Sequence, residues 1–166
     1  SSIRKKTCLV ITEEKRPVPL YPVFLHPSGC LHPFLEGKKV SGAVCPFLRE
    51  NEKRSHGRRR LPNYAGILRV LEHFDMLPAI FFLKSRAECD AALQAHSELS
   101  PLEGRESFEA DLDDMLDRFP SLGTHRQLKV LRMAGIAAHH GGQLPAWKLL
   151  VEDMMNRGHL RAIFAT

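Results

Sequence analysis

The sequence predicts an α/β fold built on a short parallel sheet and preceded by a hairpin-like lead-in. Two observations carry this. From residue 61 onward, stretches with helical apolar spacing alternate with short, almost wholly apolar runs: AIFFL at 79–83, IAA at 136–138 and LRAIFA at 160–165. Such runs suit strands covered on both faces, and the helices between them supply the crossovers that parallel neighbours need. Before residue 61 the pattern changes: β-like runs are interrupted by Pro17, Pro19 and Pro22, and a Gly-, Lys- and Arg-rich stretch follows. The 166 residues suit one ordinary domain with a smaller appendage, so the chain divides into a lead-in of residues 1–60 and a main domain of 61–166.

Composition narrows the class. With 43% hydrophobic and 26% charged residues, the chain belongs with globular rather than disordered sequences. No apolar run approaches the ~20 residues that span a bilayer, and SSIRKKTCLVI is too short in apolar residues for a secretory signal, so membrane and export readings drop out. Cys8, Cys30, Cys45 and Cys89 form no CxxC pair, which fits a reducing, cytoplasmic setting and gives no zinc signature. The net charge of +5 is compatible with a polyanionic partner. Its positive part gathers at Lys53-Arg54 and Arg58–Arg60, while 103–117 is strongly acidic. Either run alone reads first as solvated surface.

In the lead-in, Thr7–Thr12 and Val18–Leu25 are the β-like runs, and Ser28-Gly29 supplies a turn before Cys30–Leu35. Residues 18–35 therefore read as a hairpin, and 37–60, with no sustained period, as an exposed basic linker. Leu61-Pro62-Asn63 opens a helix carrying Ile67, Leu68, Leu71 and Phe74 at helical spacing. Ala79–Leu83 reads as a strand buried on both faces. Ser85 then caps a helix through Leu99, with Glu88 three residues on as a capping box. Phe108, Leu112, Met115 and Phe119 share one face of a helix over 106–119, whose acids keep the other face wet. Thr124 caps the next helix, with Leu128, Leu131 and Met133 as its apolar positions; Gly135 ends it before the strand Ile136–Ala138. Pro145 starts the last helix, in which Trp147 is a packing residue beside Leu150, Val151 and Met154. Asn156-Arg157-Gly158 stops it, and Leu160–Ala165 is the last strand.

Functional loops in parallel sheets gather beyond the carboxyl ends of the strands. Three segments meet that description: Lys84-Ser85-Arg86, His139-His140-Gly141-Gly142 and Thr166. Ser85 and the first-turn amides read as an anion site reinforced by the Arg86 fork, or as a plain capped helix with an exposed arginine. The His-His-Gly-Gly run reads as a loop that contacts a polyanion, or as a turn with one buried histidine; its glycines permit close backbone approach and positive φ. Adjacent histidines project differently, so a metal pair is disfavoured. No nucleophile–base pair, GxxxxGK[ST] loop or strand-end Asp-Glu pair for Mg²⁺ is present.

At these same segments the chain resembles a known family. LPAIFFLKSRAECDAAL (77–93) resembles motif IV of superfamily 2 helicases. GIAAHHGGQLPAWKLLVEDMMNRGHLRAIFAT (135–166) resembles the HHxG segment and first half of motif V in the superkiller-type branch of the DExH-box helicases. KRPVPLYPVFL (15–25) resembles the lead-in to the second motor domain of that branch. The resemblance implies a partial second RecA-like domain, three-layered, over 61–166. It implies an ATP-dependent helicase as the parent protein, with ATP and Mg²⁺ as its cofactors and a first RecA-like domain acting in cis. By position it assigns Ser85, Arg86, His139, His140, Gly141, Gly142, Lys148 and Thr166 to contacts with single-stranded RNA or DNA. The Walker A, DExH and arginine-rich motif VI segments are absent, so the chain alone is expected to be inactive and to bind neither ATP nor Mg²⁺. Two other readings stand beside it: a protein-interaction module using the acidic helix and the basic stretch, and a transferase holding a nucleotide diphosphate at the His-His-Gly-Gly loop.

Overall fold

The computed structural model describes residues 12, 17–53, 62–102, 104 and 106–166. The Thr7–Thr12 run up to residue 11, Lys15, Arg16 and the basic cluster Arg58–Arg60 lie outside the described residues. Two compact units divide between residues 57 and 58.

In the first unit, strand β1 (Val23–Leu25) pairs antiparallel with β2 (Leu31–Pro33), with Phe24 opposite His32. Gly29, at φ +88°, makes the turn, and its N–H donates to the carbonyl of His26. The hairpin expected over 18–35 is present, but only the last three residues of the 18–25 run pair. The three prolines before them remove the donors a longer ladder would need. A second small hairpin joins β3 (Leu35–Glu36) to β4 (Lys39–Val40).

Of the linker expected over 37–60, the part to residue 53 is a misreading, since after β4 comes helix α1 (Cys45–Lys53); residues 54–60 lie outside the described residues. The support of α1 is tertiary and invisible to periodicity. Ser41 Oγ donates to Glu36 and accepts the Ala43 N–H, holding the start of the turn, and the Phe47 ring packs 5.0 Å from Phe24 and 5.5 Å from His26. Packing of this kind stabilises a nine-residue helix that would be marginal alone.

The second unit runs α2 (Tyr64–His73), β5 (Ala79–Phe82), α3 (Arg86–Ala92) with a 3₁₀ continuation over Leu93–Glu98, α4 (Glu106–Arg118), a 3₁₀ turn (Pro120–Thr124), α5 (Leu128–Ala134), β6 (Ile136–His139), α6 (Pro145–Asn156) and β7 (Ala162–Ala165). The three strands are parallel in the order β5-β7-β6. Side chains alternate across a sheet, and the two cores follow that alternation. Ile136, Ala138, Ala162 and Phe164 pack with Tyr64, Leu68, Cys89 and Leu93 of α2, α3 and the turn after it. Ala137, Ile163 and Ala165 pack with Leu112 and Met115 of α4 and with Trp147 and Val151 of α6. The result is the three-layer, RecA-like α/β arrangement expected, on a short sheet.

Local chemistry explains the boundaries. Asn63 Oδ1 accepts the Gly66 N–H at 2.8 Å and caps α2. Gly135 ends α5 in the left-handed region at φ +63°, where a β-carbon would also lie 2.9 Å from a Leu102 methyl. The sheet is closed at β6: the outward N–H of Ala138 donates to Gln127 Oε1, and its carbonyl accepts from Trp147 Nε1.

Several readings are corrected. β5 is not buried on both faces; Ile80 and Phe82 are 53% and 79% exposed, because the strand lies at the sheet edge and, among the described residues, no helix covers its second face. Thr124 does not cap α5. Its hydroxyl donates to Ser121 at the end of the 3₁₀ turn, and the helix begins four residues later. Met133 is exposed rather than buried. The acids of α4 do more than stay wet: Asp111 accepts from Arg157 at 2.8 Å and His159 at 2.7 Å, and Arg132 bridges Glu109 and Asp113. They fasten α4 to α5 and to the end of α6. The hydrogen bond from His159, with Arg157 beside it, holds the Asp111 carboxyl below the usual carboxylate range.

Candidate functional site

The carboxyl ends of the strands form one rim. Phe82 and His139 both lie in register with Ala165, and the Leu83 N–H donates to the Ala165 carbonyl at 2.8 Å. Segments 84–86 and 140–142 and Thr166 therefore leave the sheet side by side. Arg86 is exposed, and its side chain crosses the loop that follows β6. A β-carbon on Gly141 would sit 3.5 Å from Arg86 Nη2; one on Gly142 would sit 3.3 Å from Arg86 Cδ and 3.2 Å from the His140 ring. Neither glycine has a positive φ, so close approach, and not backbone freedom, is what glycine provides here.

His140 is buried. Its Nδ1 accepts the Gly142 N–H at 3.1 Å, which leaves the proton on Nε2, facing Asp90 Oδ1 at 3.4 Å. The His140 ring thus fixes the loop from beneath. His139 turns to the opposite face of the sheet, where its Nε2 lies 2.6 Å from Glu152 on α6. The two histidines do diverge as their adjacency implies. Lys148, half buried, belongs to α6 and so to that same opposite layer. Ser85 Oγ accepts the Glu88 N–H at 3.2 Å, and the Glu88 carboxylate accepts the Lys84 N–H at 3.2 Å. The first turn of α3 is therefore served by its own side chains and carries a carboxylate, which leaves the cationic heads of Lys84 and Arg86 as the attraction for an anion. Thr166 is exposed at the end of β7. In sum, the rim brings together Arg86, His140, Gly141, Gly142 and Thr166, while His139 and Lys148 lie behind it.

Behind the loop sits a polar network that sequence reasoning missed. Asp90 Oδ2 accepts from Arg126 at 2.7 Å, and Asp90 Oδ1 accepts from Gln127 Nε2 at 3.0 Å. The Gln143 amide lies 3.2 Å from Nε2 of both His140 and His125. The His125 ring stacks on Trp147 at 3.7 Å. Only Asp90 left a signal in the sequence, one helical turn beyond Arg86; Gln127 and Gln143 follow no period.

Burial pushes the His125 imidazole below its usual value. Because the folded pKa is depressed, the stability this group contributes is complete above its ordinary pKa of about 6.5 and is lost as pH falls below that value. Thermal melts should therefore drop between neutral pH and pH ~5.5, and His125→Phe, which keeps a ring on Trp147, should show a smaller drop. An equal drop in both proteins would rule His125 out as a cause.

A cleft of about 540 Å³ lies at the opposite, amino end of the strands, beside Glu72, Ser100 and Arg161. Arg161 is already bonded there to the Ser100 carbonyl at 2.6 Å and paired with Glu72 at 3.5 Å. Among the described residues, no group of three or more His, Cys, Asp or Glu side chains converges to hold a metal ion, and no helix is long and apolar enough to cross a membrane.

No protein-family model matches the chain. Among curated proteins, it is 35% identical over 122 residues to the chloroplastic DExH-box ATP-dependent RNA helicase DExH15 of Arabidopsis thaliana, covering 72% of this chain and 10% of that protein. It is 29% identical over 189 aligned positions to the probable helicase HelY of Mycobacterium leprae, covering 95% of this chain and 20% of the relative. It is 32% identical over 109 residues to superkiller complex protein 2 of Mus musculus, covering 62% of this chain and 9% of the relative. The chain thus spans a fifth or less of the length of these relatives. One parallel sheet with its loops along a common rim, and the match to DExH15 over 72% of the chain, lead to one assignment: the chain belongs to the superfamily 2 DExH-box helicases.

Proposed function

We propose that the chain is part of the second motor domain of an ATP-dependent helicase, and that its rim holds the sugar-phosphate backbone of a single strand. The observation that carries this is the Arg86 side chain lying across Gly141 and Gly142 at the carboxyl ends of the strands. A guanidinium offers a planar fork of donors to a phosphate, and a glycine floor lets a polynucleotide backbone come close. Thr166 adds a hydroxyl at the same rim. RNA is the favoured strand, since DExH15 bears the name of an RNA helicase. ATP and Mg²⁺ belong, in this reading, to the whole protein and to a first RecA-like domain in cis. The carboxylates near the rim do not suit Mg²⁺, because Glu88 and Asp90 are taken up by partners of their own.

The test is fluorescence anisotropy with a labelled oligouridylate across a salt series. Weak binding is expected, with a log–log slope near −0.7 for each phosphate neutralised. Arg86→Ala should weaken it about tenfold and flatten the slope by roughly one phosphate. Salt-independent binding, or an unchanged Arg86→Ala variant, would contradict the reading. The protein-docking alternative is less favoured, because Glu109, Asp111 and Asp113 of α4 already face Arg132, Arg157 and His159.

A further inference from the structure

We propose that Asp90 is the positioning residue that sets the spacing between Arg86 and the loop of residues 140–142; the functional side of this rests on reading that rim as a nucleic-acid interface. Asp90 lies one helical turn after Arg86 on α3, so the two share a face. Its carboxylate connects α3 to both ends of the segment from Ala138 to Gly142. One connection runs through Gln127, whose Nε2 donates to Asp90 Oδ1 at 3.0 Å while its Oε1 accepts the Ala138 N–H at 3.1 Å. The other runs through His140, whose Nε2 lies 3.4 Å from Asp90 Oδ1 while its Nδ1 accepts the Gly142 N–H at 3.1 Å. A single side chain thus fixes where the loop leaves β6 and where it turns at Gly142, relative to the helix that carries Arg86.

The chemistry explains the choice of residue. Three donors, on Arg126, Gln127 and His140, converge on one side chain, and an ionised carboxylate is acceptor on every face. Asparagine would keep an oxygen for Gln127 and His140 and forfeit only the Arg126 pair. That arginine is 66% exposed, so its ion pair with Asp90 contributes little. Alanine leaves the buried Gln127 amide without its acceptor and takes the carboxylate away from the buried His140 ring, whose Nε2 keeps only the Gln143 amide, at 3.2 Å. A negative charge would repel a phosphate, so Asp90 acts on a bound strand through Arg86 and the loop, and not by contact.

Two measurements on the whole 166-residue chain decide it. The first needs no nucleic acid. Hydrogen exchange at the Gly142 amide should quicken about tenfold in Asp90→Ala and change little in Asp90→Asn, because the His140 ring that accepts that N–H loses its Asp90 partner, and with it the link to α3, only in alanine. Unchanged protection at Gly142 in folded Asp90→Ala overturns the positioning role. The second is oligouridylate affinity. Asp90→Ala, confirmed as folded by far-UV circular dichroism, should bind about tenfold more weakly, Asp90→Asn within about threefold of the parent, and the Arg86→Ala/Asp90→Ala double variant no more weakly than about twofold below Arg86→Ala alone. Full additivity in the double variant would show that Asp90 does not act through Arg86, and the proposal would fall. If the parent chain fails to bind oligouridylate while Gly142 exchange still rises, the nucleic-acid reading is lost and the positioning role stands. A rescue by Asp90→Asn is something that a merely structural, charge-dependent role would not produce.

Discussion

Trp147→Ala should cost about 3–5 kcal/mol of stability for the lost packing alone, enough to unfold much of the second unit. The side chain is fully buried in the core between the sheet and α6, among Leu112, Met115, Val151 and Ala137. It does more than fill space. Its Nε1 donates to the outward carbonyl of Ala138 at 3.2 Å, so truncation also leaves a buried edge acceptor of β6 unpaired, at a further cost of about 1–3 kcal/mol. Its face carries the stacked His125 ring, which in turn faces Gln143. Trp147→Phe separates the two contributions: it keeps most of the packing and loses the N–H, so about 1–2 kcal/mol is expected. Urea unfolding followed by far-UV circular dichroism reads both, since the chain has a single tryptophan and the variants lose its fluorescence. An alanine variant within about 1 kcal/mol of the parent would mean that the core does not rest on this residue.

What the sequence made legible was whatever local rules control. Ser85 and Pro145 marked helix starts and Gly135 a helix end because caps and a left-handed glycine are local chemistry. The short apolar runs marked strands, and strands alternating with helices implied that they are parallel. What stayed hidden was set by distant partners. Helix α1 forms where Phe47 meets Phe24, a contact between residues 23 positions apart that no window contains. The AIFF run looked doubly buried, yet edge position is a property of strand order, which composition does not encode. At the rim, residue types located Arg86 and the glycines, but the partners that hold the loop are Gln127 and Asp90, polar residues in unremarkable surroundings. His139 and His140 were indistinguishable as letters; strand alternation sends one to Glu152 and the other to Asp90.

Phe164→Ala should be nearly as damaging, and on the other face of the sheet. Phe164 is fully buried on β7, the central strand, with Phe81 stacked at 5.2 Å and the Tyr64 ring edge-on at 5.0 Å. Removing it deletes two aromatic contacts as well as the buried area, about 3–5 kcal/mol together. Phe164→Leu keeps most of the volume and should cost only about 1–2 kcal/mol. The consequence differs from that of Trp147 in kind. Phe164 shares its core with Cys89 and Ala92 of α3, the helix that carries Arg86 and Asp90, and its strand leads into Thr166. A cavity there loosens the support of α3, so in the leucine variant, which stays folded, oligouridylate affinity should fall by more than the small loss of stability explains. The comparison is with Leu112→Val, a similarly mild change fully buried in the opposite core, under α4. If both variants lose stability alike and bind alike, the two faces are equivalent supports, and the rim does not depend on the α3 layer in particular.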